Sequence, residues 1–173
     1  MFFAVNNIKG SFRTKISVTR KLLLEINPNI YVKNYSNFSV IKDIYVFIVH
    51  WDTSYINFTK VKSLDQIPRA ISHFSTITQL SCYSEYEVHN IIANGSLKLK
   101  KNISEIPLQP EILNNYFIRK NRSFSPALFL KNHNGTFMIF QSGKFSFLGF
   151  QSLTCLIKTS KDISDLLNNC GII

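Results

Sequence analysis

The 173-residue chain is built from two similar halves, and a repeated unit restricts a fold more than any single motif can. The first half opens with Val5-Asn6-Asn7-Ile8 and the second with Val88-His89-Asn90-Ile91. Each reads as a strand running into a basic, alternating stretch: Ser11-Phe12-Arg13-Thr14-Lys15-Ile16, then Ser96-Leu97-Lys98-Leu99-Lys100. A short helix is expected after each, around residues 19–26 and 104–113. Next come two β-rich, then turn-rich segments, 29–39 and 115–125, which end in Phe38-Ser39 and Phe124-Ser125. A hairpin follows in each half. Residues 46–49 and 55–61 flank a turn at Asp52-Thr53-Ser54, and residues 137–140 and 144–149 flank Ser142-Gly143, a typical turn pair. In these strands the apolar positions Ile56 and Phe58, and Phe145 and Phe147, recur every second residue, so one strand face is buried and the other free.

Each half closes on a helical pattern. Ser63 is the expected N-cap of one, with Leu64, Ile67, Ile71 and Phe74 as its apolar stripe. Pro68 lies inside that stripe and should delay the helix start or kink it. Ser152 caps the other, with Leu153, Leu156, Ile157, Ile163, Leu166 and Leu167. Each half therefore reads strand, helix, four strands, helix. The expected class is α+β, with one repeat over 1–80 and the other over 81–173. Such units give one long antiparallel sheet with helices on one face. The other face is left for function.

Composition narrows the partners. Lys and Arg number 20 against 10 Asp and Glu, a net charge of +10, which suits a polyanion, most simply nucleic acid. Solubility, or a genome rich in Lys, Asn and Ile codons, accounts for the same excess, and charge alone does not choose. The 45% hydrophobic fraction supports a packed core rather than disorder. Three cysteines without C-x-x-C spacing argue against a zinc site or a disulfide framework, and fit a reducing compartment. Met1-Phe2-Phe3-Ala4-Val5 is too short for a secretion signal. No apolar run reaches the roughly 20 residues of a membrane span. The four histidines lack metal-pair spacing, and no nucleophile-elbow, phosphate-loop or zinc-protease motif occurs. The expectation is a protein that is not an enzyme and has neither metal nor cofactor.

In order along both halves, the segments resemble the core of the TATA-box-binding protein family. Phe137-Met138-Ile139-Phe140-Gln141-Ser142-Gly143-Lys144-Phe145-Ser146-Phe147-Leu148-Gly149 is similar to that family's LIF-x-SGK-x-x-x-TG hairpin. The opening strands look like its two QNIV strands, and Pro126-Ala127-Leu128-Phe129-Leu130-Lys131 looks like its PGLIYR strand. The resemblance implies a saddle whose concave sheet sits on the minor groove of AT-rich duplex DNA. Phenylalanines would wedge between base steps there, as part of nucleating a polymerase complex.

Carried over residue by residue, the wedges implied are Phe38 and Trp51, then Phe124 and Phe140. Phe124 rests on the internal match to Phe38, whereas direct alignment to the family sets Ser125 at that place. Trp51 aligns without a gap, a register that puts His50 in the core; a slip makes Val49 the match instead. Asn7 and Asn90 match the two central asparagines, suited to the acceptors that A·T pairs present. Asn57, Thr59, Met138, Ser146 and Leu148 are the remaining groove contacts, and Lys42, Lys131 and Lys144 the phosphate contacts. Leu148 in place of threonine and Lys9 in place of valine depart from the family and put tight TATA preference in question. The second stirrup, Arg119-Lys120-Asn121-Arg122-Ser123, is basic where the family is acidic. A transcription factor IIB-like partner would therefore be divergent, as in a large DNA virus or a parasite. The expected location is the nucleus, or a cytoplasmic viral factory. Two alternatives keep the fold: a duplex grip like that of nucleic-acid enzyme accessory domains, and a saddle that binds protein after losing DNA.

Overall fold

The computed structural model describes residues 1–27, 32–103, 116–121 and 127–173, with the backbone alone for 117–121. The expected second short helix, 104–113, lies outside them, as do Arg122, Phe124 and Ser125. The strands are β1 (Phe3–Val18), β2 (Val32–Asn34), β3 (Phe38–Lys42), β4 (Val46–His50), β5 (Thr53–Val61), β6 (Cys82–Ser96), β7 (Phe117–Asn121), β8 (Ala127–Asn132), β9 (Gly135–Phe140) and β10 (Lys144–Phe150). The helices are α1 (Arg20–Ile26), α2 (Gln66–Thr78) and α3 (Leu153–Asn169). All ten strands belong to one sheet, and its hairpins are antiparallel. The α+β class is as expected, and among the described residues the strands and the closing helix of each half follow the expected order.

By proximity the chain forms two compact units, Asn7–His89, and Met1–Asn6 with Asn90–Ile173. In the first, the strand order is β2-β3-β4-β5-β1-β6; in the second, it is β1-β6-β10-β9-β8-β7. The long strands β1 and β6 each supply residues to both units.

The core of the first unit is an aromatic stack on one sheet face. The Phe74 ring of α2 lies 5.3 Å from Phe12 and 5.1 Å from Phe47, edge-on to both. Edge-to-face packing suits the ring quadrupole. Removing a ring buried like this costs about 3–5 kcal/mol. In the second unit Phe137, Phe145, Phe147 and Phe150 are fully buried, with ring centroids 5.0 to 5.8 Å apart. The alternation is as read: Ile56, Phe58, Phe145 and Phe147 are all buried.

Helix starts differ in one case. The Ser152 hydroxyl accepts from the Cys155 N–H, as expected of an N-cap. Ser63, in contrast, does not cap α2. The chain first makes tight turns, with Gln66 N–H to Ser63 O and Ile67 N–H to Leu64 O, and the helix begins at Gln66. Pro68 then falls in the first turn, where its missing N–H is needed by no carbonyl. The delay leaves Leu64 exposed instead of in the stripe. Ile157 is likewise exposed, while Leu156, Ile163 and Leu167 are buried.

Candidate nucleic-acid interface

Helices cover one face of the sheet in each unit, and the residues of the other face can be read from the strand register. In the first unit, Phe38 stands opposite His50. Val40, Ile48, Asn57 and Ser11 form the next row. Lys42, Val46 and Thr59 form a third. In the second unit the same rows are Ala127 and Phe140; Phe129, Met138, Ser146 and Asn94; and Lys131, Thr136 and Leu148. Val40, Val46, Ile48, Phe129, Met138 and Leu148 are half-buried, so apolar rows on this face carry no helix. Lys42, Lys131 and Lys144 are exposed beside them.

The two asparagines hold matching places. Asn7 Oδ1 accepts from the Lys60 N–H at 2.8 Å and from the Thr59 hydroxyl at 2.9 Å. Asn90 Oδ1 accepts from the Gly149 N–H at 2.8 Å. Lys60 and Gly149 are themselves equivalent, and both have a left-handed backbone, with φ of 67° and 84°. That kink turns an N–H out of the ladder toward the asparagine. With the oxygen so fixed, each side chain keeps its NH₂, a donor, for an outside acceptor.

The wedge candidates fall out unequally. Phe140 ends β9, half-buried, and with Lys144, Ser146, Asn94 and Asn6 it lines a hollow of about 600 Å³. Phe38 is half-buried and stacked on Tyr35, with centroids 4.5 Å apart. Its register partner His50 occupies the place that Phe140 holds in the second unit. Val49 is fully buried, so His50 is on the free face and not in the core, contrary to both sequence registers. Its Nε2 accepts from the Asn57 amide at 2.9 Å. Trp51 sits in the turn beyond, its N–H donating to Asn37 O and its indole N–H reaching Tyr35 O at 3.5 Å. The reason is one extra residue: Val49 pairs with Ile56, but Ile139 pairs with Phe145. Counting back from β5 lands on Trp51; counting forward along β4 lands on His50. Register also makes Ala127 the equivalent of Phe38, a match the shared Phe-Ser pair concealed. Arg119 lies opposite Phe129, and Lys120 opposite Leu128, along β7 and β8.

Arg13 went unnoticed in the sequence. Its guanidinium lies 4.5 Å over the Tyr55 ring and donates to the Tyr55 hydroxyl at 3.1 Å. With Tyr83, Glu85, Tyr86 and Glu87 these two line a hollow of about 460 Å³. Arginine opposite tyrosine in register was the only available signal, and it required the β1–β5 pairing to be known. Among the described residues, no group of three or more His, Cys, Asp or Glu could hold a metal ion. Nor is any helix long and apolar enough to cross a membrane.

No family model matches the chain, and no curated protein matches it in sequence. Among solved structures it is similar to the TATA-box-binding protein (TBP) of Methanococcus jannaschii, with a TM-score of 0.79 at 17% identity. The match covers 98% of this chain and 99% of that one. The chain therefore has the TBP fold.

Proposed function

We propose that this chain is a DNA-binding initiation factor that seats its helix-free sheet face in the minor groove of AT-rich duplex and bends it. The observation that carries the reading is the repeated arrangement on that face: apolar rows, an anchored asparagine in each unit, and lysines alongside. Each part suits the minor groove. Half-buried aliphatic rows fit sugar walls. Amide NH₂ groups fit the acceptors of adenine N3 and thymine O2. Lysines neutralise phosphates and position the duplex without reading its sequence. Phe140 and Phe38 supply aromatic edges that enter base steps. Unstacking a step costs a few kcal/mol, a general figure for wedge-inserting proteins, TATA-box-binding proteins among them, and the bent duplex offsets it by wrapping more surface. The partners in this reading are promoter DNA, a divergent factor IIB-like protein at the basic stirrup, and a polymerase.

One observation in each unit favours a second reading. Glu85 and Glu87 are exposed in the hollow of Arg13 and Tyr55, where carboxylates oppose phosphate. Leu148 also leaves Asn90 without the hydroxyl partner that Thr59 gives Asn7. Both features suit a protein-binding surface on this fold.

The two readings separate in an anisotropy titration with AT-rich and GC-rich duplexes, with and without a small molecule that fills the minor groove. The proposal expects preference for AT-rich duplex and displacement by that molecule. Equal, undisplaced binding, or none, would contradict it.

A further inference from the structure

Beyond β6 the chain leaves the sheet but is not loose. Leu97 N–H donates to Gly143 O at 2.9 Å and Lys100 N–H to Ile172 O at 2.8 Å. Ile103 N–H donates to Gln141 Oε1 at 3.1 Å. The stretch is thus tied to the β9–β10 turn on one side and to the C-terminal residues on the other. Leu97 and Leu99 are half-buried, while Lys98, Lys100 and Lys101 are exposed. The three lysines line a hollow of about 650 Å³ with Gln141 and Ser142, and no carboxylate lines it among the described residues. Among the described residues, none of the three has an acidic partner, nor has Lys144 in the adjoining turn.

Among the described residues, the hollow thus gathers three ammonium groups and no counter-charge. The other repeat, among its described residues, has no such feature. Register sets Ser11 equivalent to Asn94, which makes Lys15, Ser17 and Val18 the counterparts of the three lysines. There β1 stays in the sheet as far as Val18, which pairs with Thr53. The patch is therefore particular to this segment and not a consequence of the fold.

We infer that Lys98, Lys100 and Lys101 form a phosphodiester-binding track that extends the duplex contact past the Phe140 turn. This rests on the duplex-binding reading above. The turn that ends in Lys144 begins just after Phe140, so the strand phosphates outside a step opened by Phe140 pass over Gln141, Ser142 and this hollow. The track is sequence-independent. It makes the second unit the tighter grip on the backbone and so gives the complex a polarity.

The test is the salt dependence of binding to a labelled AT-rich duplex. Three variants are compared with the unaltered chain: Lys98→Gln/Lys100→Gln/Lys101→Gln, the same three positions changed to Arg, and Lys62→Gln/Lys158→Gln/Lys161→Gln. The last removes equal charge elsewhere, with Lys158 and Lys161 exposed on α3. Each phosphate that is no longer neutralised lowers the slope of log K against log salt by about 0.9, so the first triple should lower it by about 2 to 3. The arginine triple should keep the slope, and the control triple should keep most of it. An unchanged slope in the first triple, or equal losses in both glutamine triples, overturns the track while duplex binding stands. If the unaltered chain binds no duplex, the functional reading itself falls and takes the track with it.

Discussion

Asn7 and Asn90 hold the backbone at equivalent places, yet they are not equally committed. Asn7 accepts two hydrogen bonds and Asn90 one of those given by β5 and β10. A hydrogen bond contributes about 0.5–1.5 kcal/mol net. Asn7→Ala should therefore cost about 1–2 kcal/mol in urea unfolding and Asn90→Ala about 1 kcal/mol; a costlier Asn90→Ala would contradict the assignment. Asp43 gives a pH prediction. Its carboxylate accepts from His73 at 2.9 Å and from the Ile44 N–H at 2.8 Å, and these hold its pKa below the usual aspartate value, His73 more than Ile44. A lowered folded pKa stabilises the protein above the unfolded value of about 4 and ceases to do so as pH falls through the folded value. Asp43→Asn should flatten that part of the acid limb, measured as the urea midpoint from neutral pH down to below 4; an unaltered limb would show that the pairing contributes nothing. Residues such as Asn7 were legible because both repeats carry them. His50 and Arg13 were not. All of β4 is apolar up to His50, so alternation cannot tell its faces apart, and Arg13 takes its meaning from a strand far away in sequence.

At the scale of elements, the kinks in β5 and β10 test the repeat. Both place one residue in the left-handed region, but the first uses lysine and the second glycine. A side chain there costs about 1–2 kcal/mol, whereas glycine adopts it freely. Gly149→Ala should destabilise by about 1 kcal/mol through backbone strain alone, since a Cβ would meet nothing nearer than 3.8 Å. Lys60→Gly should move stability in the opposite direction, or at least not lower it, by the same unfolding measurement. Equal destabilisation by both changes would mean that the two kinks are not equivalent. Element type was readable where one period dominated, as in β5, β10 and α3. Boundaries were less so. The start of α2 depends on how Pro68 is placed within the first turn, and the β4–β5 turn gained a residue that no local pattern marks.

On the scale of the whole molecule, the chain is two similar units, each with one sheet face under helices and one without. The repeat, the class and the fold were legible because strand alternation, turn pairs and helical stripes recur in the same order twice. The chemistry of the free face was legible only in outline. It depends on which residues stand across from each other, and that follows from register rather than from sequence spacing. Lys144 and the basic stretch with Lys98 and Lys100 were visible in the sequence, but the grouping of Glu85 and Glu87 beside Arg13, and of Lys98, Lys100 and Lys101 around one hollow, came from the structure. The central claim is that the free face enters the minor groove with Phe140 as a wedge. Energy transfer between dyes at the two ends of an AT-rich duplex measures it most directly, with the unaltered chain and Phe140→Ala side by side. The account predicts that the ends draw together on binding, that the effect weakens as salt rises, and that Phe140→Ala binds with much less bending; tight binding with no change in end-to-end distance would contradict it.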